Sequence, residues 1–219
     1  MKIARLDFHK DPNIGLFSVV TDEFCIVNNF VNESKIKIIK KVLKTPVFQA
    51  SMLGTGLLGI FMAGNSRGLL VSSRVHDKEI ETLKKKLDVL VLDTKHTAMG
   101  NMILCNNNGC IISKDLEKYR KDIKYFLGVE TRVGTIGGMN LVGSLGVCNS
   151  RGCLVHKDIN KKEKNLLEKV LDVPVSAGTV NFGNPWVKSG ILANSFGCLV
   201  GSQTSGPELG IISEALGFL

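Results

Sequence analysis

Along this chain apolar residues come in paired bursts, each pair straddling four polar or turn-forming residues. Leu145 and Val147 precede the turn Asn149-Ser150-Arg151-Gly152, and Cys153, Leu154 and Val155 follow it. The same Asn-x-x-Gly turn recurs at residues 65–68, 106–109 and 194–197, and a degenerate copy, Thr21-Asp22-Glu23-Phe24, opens the series. Short apolar runs bounded by a tight turn predict a β-hairpin. Asn bonds its own backbone two residues on and Gly takes positive φ, so both residue types suit a reversal. With Phe24, Gly68, Gly109, Gly152 and Gly197 as anchors, the spacings are 44, 41, 43 and 45 residues. A period held over the whole chain marks a repeat architecture, in which a single unit cannot bury its own apolar face.

The rest of each unit follows from the change of period. Ile36, Ile39 and Leu43 predict a helix over residues 34–44, and Ile80, Leu83 and Leu87 predict one starting near Asp77. Leu209, Ile212 and Leu216 repeat the spacing. One apolar stripe per helix turns inward and the lysines turn out. Ser205-Gly206-Pro207-Glu208 and Asn160-Lys161-Lys162-Glu163 read as capping boxes. A short strand follows each helix, at residues 46–48, 89–91, 129–131 and 173–175, and then a Gly/Asn-rich connector, at 54–56, 99–101, 137–140 and 181–185. Residues 57–63 are expected to run straight into the next hairpin. The fifth unit stops after its helix, and residues 2–8, which alternate polar and apolar, are expected to supply its missing strand. The predicted fold class is α+β: a closed five-fold ring of strand-turn-strand-helix-strand units, with residues 1–219 as one domain.

Composition changes this picture little: 44% hydrophobic and 22% charged residues are ordinary for a globular protein. No apolar run approaches the roughly 20 residues of a membrane span, and the N-terminus lacks a signal-peptide core, so a cytoplasmic protein away from membranes is expected. A net charge of +8 and a pI near 9.2 favour a polyanionic partner. The lysines alternate with acids on helix faces, however, and read first as solvated outer surface. The cysteines fall into two columns of the repeat. One holds Val20, Gly64, Cys105, Cys148 and Ala193, and the other Cys25, Leu69, Cys110, Cys153 and Cys198. Buried thiols packing as small hydrophobes are expected, with neither metal nor disulfide. Gly54-Thr55-Gly56-Leu57-Leu58-Gly59 with Glu79 matches a dinucleotide fingerprint by spelling, but it sits in a connector instead of opening a long helix. Asn32-Glu33-Ser34 is a glycosylation pattern without a secretory context, and His9, His76, His96 and His156 lie in no catalytic signature.

The stretches Met99-Gly100-Asn101, residues 64–71 and residues 173–181, with Ala-Gly-Thr-Val-Asn at 177–181, resemble the translation initiation factor 6 family, the ribosome anti-association factors of archaea and eukaryotes. The resemblance covers the whole chain, and the length is that of the archaeal form. It implies the pentein fold, an α/β propeller. It also implies binding to the large ribosomal subunit, through protein and rRNA near the sarcin-ricin loop, so that the small subunit cannot associate. On that reading the protein is a monomer, no enzyme, and needs no cofactor or metal. The candidate ribosome-binding residues are Gly100, Asn101, Asn140, Asn184 and Val187, carried on connectors at one end of the ring. The rival reading is a pentein-type arginine-modifying hydrolase, which needs a cysteine freed from packing and paired with histidine and carboxylate.

Overall fold

A computed structural model describes residues 2–219. After β1 (Ile3–Leu6), the first unit runs from a 3-10 turn (Ile14–Leu16) through β2 (Ser18–Val20), β3 (Cys25–Asn28) and α1 (Glu33–Leu43) to β4 (Val47–Ala50). The second comprises α2 (Leu58–Phe61), β5 (Ala63–Asn65), β6 (Gly68–Ser72), α3 (Asp77–Lys84) and β7 (Val89–Leu92). In the third, α4 (Met99–Met102), β8 (Ile103–Cys105) and β9 (Gly109–Ile112) lead through a 3-10 turn (Lys114–Tyr119) into α5 (Arg120–Leu127) and β10 (Glu130–Val133). The fourth has α6 (Val142–Leu145), β11 (Gly146–Cys148), β12 (Cys153–His156), α7 (Lys161–Leu171) and β13 (Val175–Gly178). The last has a 3-10 turn (Val187–Gly190), β14 (Ile191–Ala193), β15 (Cys198–Gly201) and α8 (Gly206–Ala215).

These strands form five three-stranded sheets. In each, the middle strand pairs antiparallel with the first and parallel with the third. The fifth sheet takes β1 as its third strand, with Ile3 opposite Cys198 and Leu6 opposite Gly201. That is the expected closure. The result is an α+β ring with five-fold pseudo-symmetry, the pentein arrangement. Each apolar core lies at a boundary between units. Val147 and Leu154 of the fourth unit, for example, pack with Ile191, Val200 and Ile212 of the fifth. Leu192 and Leu199 of the fifth pack with Leu6, Ile14, Ile39 and Leu43. A helix therefore buries its stripe between two sheets, its own and its predecessor's.

The Asn-x-x-Gly turns do more than reverse the chain. Asn106 Oδ1 accepts from the backbone N–H of Asn108 and Gly109, and its Nδ2 donates to Asn149 O and Leu171 O of the next unit, both at 2.9 Å. Asn65, Asn149 and Asn194 repeat the pattern, the last reaching Thr21 O and Leu43 O. Each buried amide clasps one unit to its successor; Thr21 in the first unit has no amide and holds only its own turn.

The glycine of that turn departs from expectation. Gly109 and Gly152 are not in the positive-φ region. A Cβ on Gly109 would stand 1.8 Å from Val170 O, and one on Gly152 1.9 Å from Ala215 O. Close approach of the next helix demands these glycines, not backbone handedness.

A second correction concerns the connectors. Residues 57–63 do not run directly into a strand: α2 intervenes, and α4, α6 and the 3-10 turns at Ile14–Leu16 and Val187–Gly190 are its equivalents. The glycines of the dinucleotide-like spelling therefore lead into four helical residues and then β5. Asn32 of the glycosylation pattern is the N-cap of α1, its side chain accepting from Lys35 N.

Candidate functional site

Hairpin topology sorts the ring into two ends. First strands finish, and second and third strands begin, at the Asn-x-x-Gly end; third strands finish, and first strands begin, at the other. All connectors and short helices therefore emerge together on the second end, where the candidate binding residues were expected.

The connectors there are tight turns of unusual handedness. His9 and Lys10, Leu53 and Gly54, and Gly137 and Gly138 are central pairs with φ between 52° and 76°, the conformation of a type I′ turn. Three of the connectors are tied to the N-terminus of the following unit's long helix by a carboxylate. Glu163 accepts from Gly137 N, Gly138 N and the Thr135 hydroxyl as well as from its own N-cap, Asn160 N. Glu208 takes Phe182 N, Gly183 N, the Thr179 hydroxyl and Ser205 N. Glu79 accepts from Leu53 N. The acid that completed the nucleotide-like spelling is thus a connector clamp.

These clamps have a measurable electrostatic signature. Burial alone would raise the Glu208 pKa, but donors from Ser205, Gly183 and Thr179 outweigh it and hold it at about 2. Glu163 is lowered by the same balance. Because folding lowers this pKa, the stabilisation is fully present above the ordinary value of 4.5 and is lost as pH falls towards 2. Glu208→Gln is expected to cost about 3 kcal/mol at neutral pH and nothing near pH 2. Denaturant midpoints of both proteins between pH 2 and 7 test this; a pH-independent difference would refute it.

The candidates sort differently from the sequence expectation. Gly100 is buried in α4, where a Cβ would meet Gly59 O at 1.9 Å. Val187 is wholly buried, packed among Leu154, Val180 and Ile212. Both belong to the structure beneath the surface, and a charge at Val187 would disturb folding before it disturbed binding. Asn184 is half-buried and spent on its own turn, its Oδ1 accepting from Trp186 N and its Nδ2 donating to Ser189 Oγ. Asn101, half-buried on α4, and Asn140, exposed just before α6, keep side-chain amides that bond no other described residue. The five candidates also fall at non-equivalent points of the repeat, Asn101 after the short-helix glycine and Asn140 before its helix.

Sequence reasoning missed the apolar part of this end. Leu141 is 40% exposed, Trp186 38% and Phe182 85%. Trp186 packs edge-on against the buried His156, ring centroids 6.3 Å apart, and Phe182 stands on a positive-φ turn pinned by Glu208. The available signal was apolar residues at the connectors, Phe182 within residues 181–185 and Leu141 and Trp186 directly after the connectors at 137–140 and 181–185. Leu141 and Trp186 are equivalent, each just before a short helix.

The thiols divide by column. Cys25, Cys110, Cys153 and Cys198 are buried, as packing residues should be. Cys105 and Cys148 instead border a cavity on the ring axis, whose lining includes neither histidine nor carboxylate. No helix among the described residues is long and apolar enough to cross a membrane.

Comparison with known proteins adds the relationship. Translation initiation factor 6 of Pyrococcus abyssi is 39% identical over the full length of both chains, and that of Pyrococcus furiosus 41%. The Methanococcus vannielii protein of the same name is 42% identical over 98% of each. Among solved structures, DDAH from Pseudomonas aeruginosa, a mutant complexed with citrulline, superposes on 78% of this chain and 68% of its own at a TM-score of 0.44 and 11% identity. Matched by the eIF-6 family profile over residues 3–215 and by these relatives from end to end, the chain belongs to the eIF-6 family.

Proposed function

We propose that this chain acts in translation initiation by binding the large ribosomal subunit through its short-helix end and keeping the small subunit away by bulk, without turnover. The observation that carries the reading is the end-to-end match to proteins named translation initiation factor 6. Steric exclusion needs a rigid body, and cores placed at every unit boundary provide one. It also needs a docking face. On the short-helix end, Asn101 and Asn140 offer unspent amides beside the apolar Leu141, Trp186 and Phe182, and clamped connectors hold that face in one shape. Amides interleaved with exposed aromatics fit a protein surface, while the charge of +8 speeds encounter with rRNA. The reading therefore places a ribosomal protein and rRNA near the sarcin-ricin loop against this end, with the factor acting as a cytoplasmic monomer.

Sedimentation of purified subunits with the protein tests this. Co-migration with the large subunit and loss of joined ribosomes are the expected outcomes. Asn101→Lys and Leu141→Glu should each weaken binding tenfold or more, about 1.4 kcal/mol, with melting within a few degrees of the parent. Migration with the small subunit, or unchanged joining at saturating protein, would sink the assignment.

A further inference from the structure

Two of the five hairpins carry a cysteine on each strand beside the turn, Cys105 with Cys110 in the third unit and Cys148 with Cys153 in the fourth. Val20, Gly64 and Ala193 hold the first-strand position in the others. Within each pair the cysteines lie directly opposite one another in an antiparallel ladder. Asn106 N donates to Gly109 O and Asn149 N to Gly152 O, both at 3.1 Å. The residues next to the turn are therefore the hydrogen-bonded pair, and the cysteines, one step further in, are not. Cys153 N accordingly turns away, to Pro174 O beside the third strand. Opposite residues at such a site approach to about 4.5 Å between Cα atoms, with their side chains on one face. A disulfide spans Cα separations of about 4.4 to 6.8 Å.

Packing agrees with this pairing. Cys105 packs against the core that holds Cys110, and Cys148 against the core that holds Cys153. The alternative, Cys105 with Cys148, would join sulfurs from two different cores. The two thiols of each pair are within hydrogen-bonding reach of one another.

The pairs differ in the outer sulfur. The Cys110 thiol donates to Cys105, and this, helped by Lys188 on the same cavity wall, outweighs burial and pulls Cys105 below the ordinary thiol range. The Cys148 thiol goes the other way, held protonated by its bond to Cys153 and by burial. Cys105 Sγ is also fixed in place by Gly64 O of the preceding unit at 3.0 Å. It is half-buried and lines the axial cavity of about 60 Å3. Hydrogen peroxide, little larger than a water at ~30 Å3, fits that space. Cys25, Cys110 and Cys198 are wholly buried, and the first and last face no thiol.

We propose that Cys105 is a site of peroxide modification with Cys110 as its resolving thiol, so that the third hairpin closes a reversible cross-strand disulfide under oxidant. The Cys105 sulfur attacks one oxygen of hydrogen peroxide. The S–O bond forms, the O–O bond breaks, and the thiol proton leaves with the second oxygen as water. The Cys110 sulfur then attacks the sulfenic sulfur. The S–S bond forms, the S–O bond breaks, and a second water carries off the Cys110 proton. Two thiols are oxidised and one peroxide is reduced to two waters. Trapping the sulfenic acid keeps Cys105 from the irreversible sulfinic and sulfonic steps. The bridge also pins the turn whose Asn106 amide clasps the third unit to the fourth. This goes beyond ribosome binding, since the site lies inside the ring and not on the docking end.

Peptide mapping tests it. Residues 96–114 form one tryptic peptide with both Cys105 and Cys110, whereas cleavage after Arg151 divides Cys148 and Cys153 between residues 133–151 and 152–157. The reduced full chain is treated with hydrogen peroxide, its remaining thiols are alkylated in denaturant, and the digest is read by mass spectrometry. The expected product is peptide 96–114 lighter by two hydrogens, with neither cysteine alkylated, and restored by dithiothreitol. Cys25 and Cys198 should stay alkylated. In Cys110→Ala a sulfenic-acid probe should label Cys105. In Cys105→Ala oxidation at Cys110 should slow about tenfold or more, because burial holds that thiol protonated. Cys105 and Cys110 still alkylated once Met139 has become the sulfoxide would overturn the proposal. So would a link between residues 133–151 and 152–157 that forms first, or one between 96–114 and 133–151.

Discussion

Deleting residues 1 to 8 is expected to abolish cooperative melting. The segment contributes the third strand of the fifth sheet, pairing Ile3 with Cys198 through Leu6 with Gly201. Lys2 O accepts from Cys198 N at 2.8 Å and Arg5 Nε donates to Thr204 O at 3.0 Å. Leu6 and Phe8 are 3% and 2% exposed in the core shared by the last and first units. Burial of two such side chains contributes about 1.5–3 kcal/mol each, and the lost ladder leaves the β15 edge unpaired. The sum is comparable with the roughly 5–15 kcal/mol that holds a typical domain together. Because each core is shared between neighbours, the damage spreads to both sides of the gap. Calorimetry should show a broad, low-enthalpy transition or none. Cooperative melting within a few degrees of the full chain would mean that the ring does not depend on its closure, and that residues 1–219 do not act as one unit.

Asn106→Asp is expected to be the most damaging single substitution of a polar residue. The parent amide donates to Asn149 O and Leu171 O and accepts from two N–H groups, all within a residue that is 5% exposed. A carboxylate of the same shape keeps the accepting side but turns an oxygen on two carbonyls, and it does so without solvent. Leaving buried partners unmatched costs about 1–3 kcal/mol each, so a loss of about 4 kcal/mol is expected. Asn108→Asp, two residues away on the exposed turn, should stay within about 0.5 kcal/mol of the parent. Urea midpoints decide it: equal losses at the two sites would show that charge in the turn, not the inter-unit clasp, is what matters.

What the sequence determined by itself was everything carried by local pattern. The hairpins follow from short apolar runs around Asn-x-x-Gly, and the long helices from stripes such as Ile36, Ile39 and Leu43. The capping boxes at Asn160 and Ser205 formed as spelled. The repeat then implied closure, since a fifth unit without a third strand needs one from the other end. These features depend on period and on residues a few positions apart, so one dimension holds them.

Other features depend on partners roughly forty or more residues away. The short helices are four residues long, too few to show a stripe, and they exist because a neighbour's backbone packs against Gly59, Gly100 and Gly143. The turn glycines owe their identity to the next unit's helix, not to their own φ. Val187 and Asn140 look alike as connector residues, yet tertiary packing buries the first and exposes the second. Nothing in the sequence separates Lys188 from the other lysines; only ring closure, which brings five first strands around one axis, sets it at the lining of the axial cavity. Period is a property of the chain, but burial and close approach arise only when one unit meets the next.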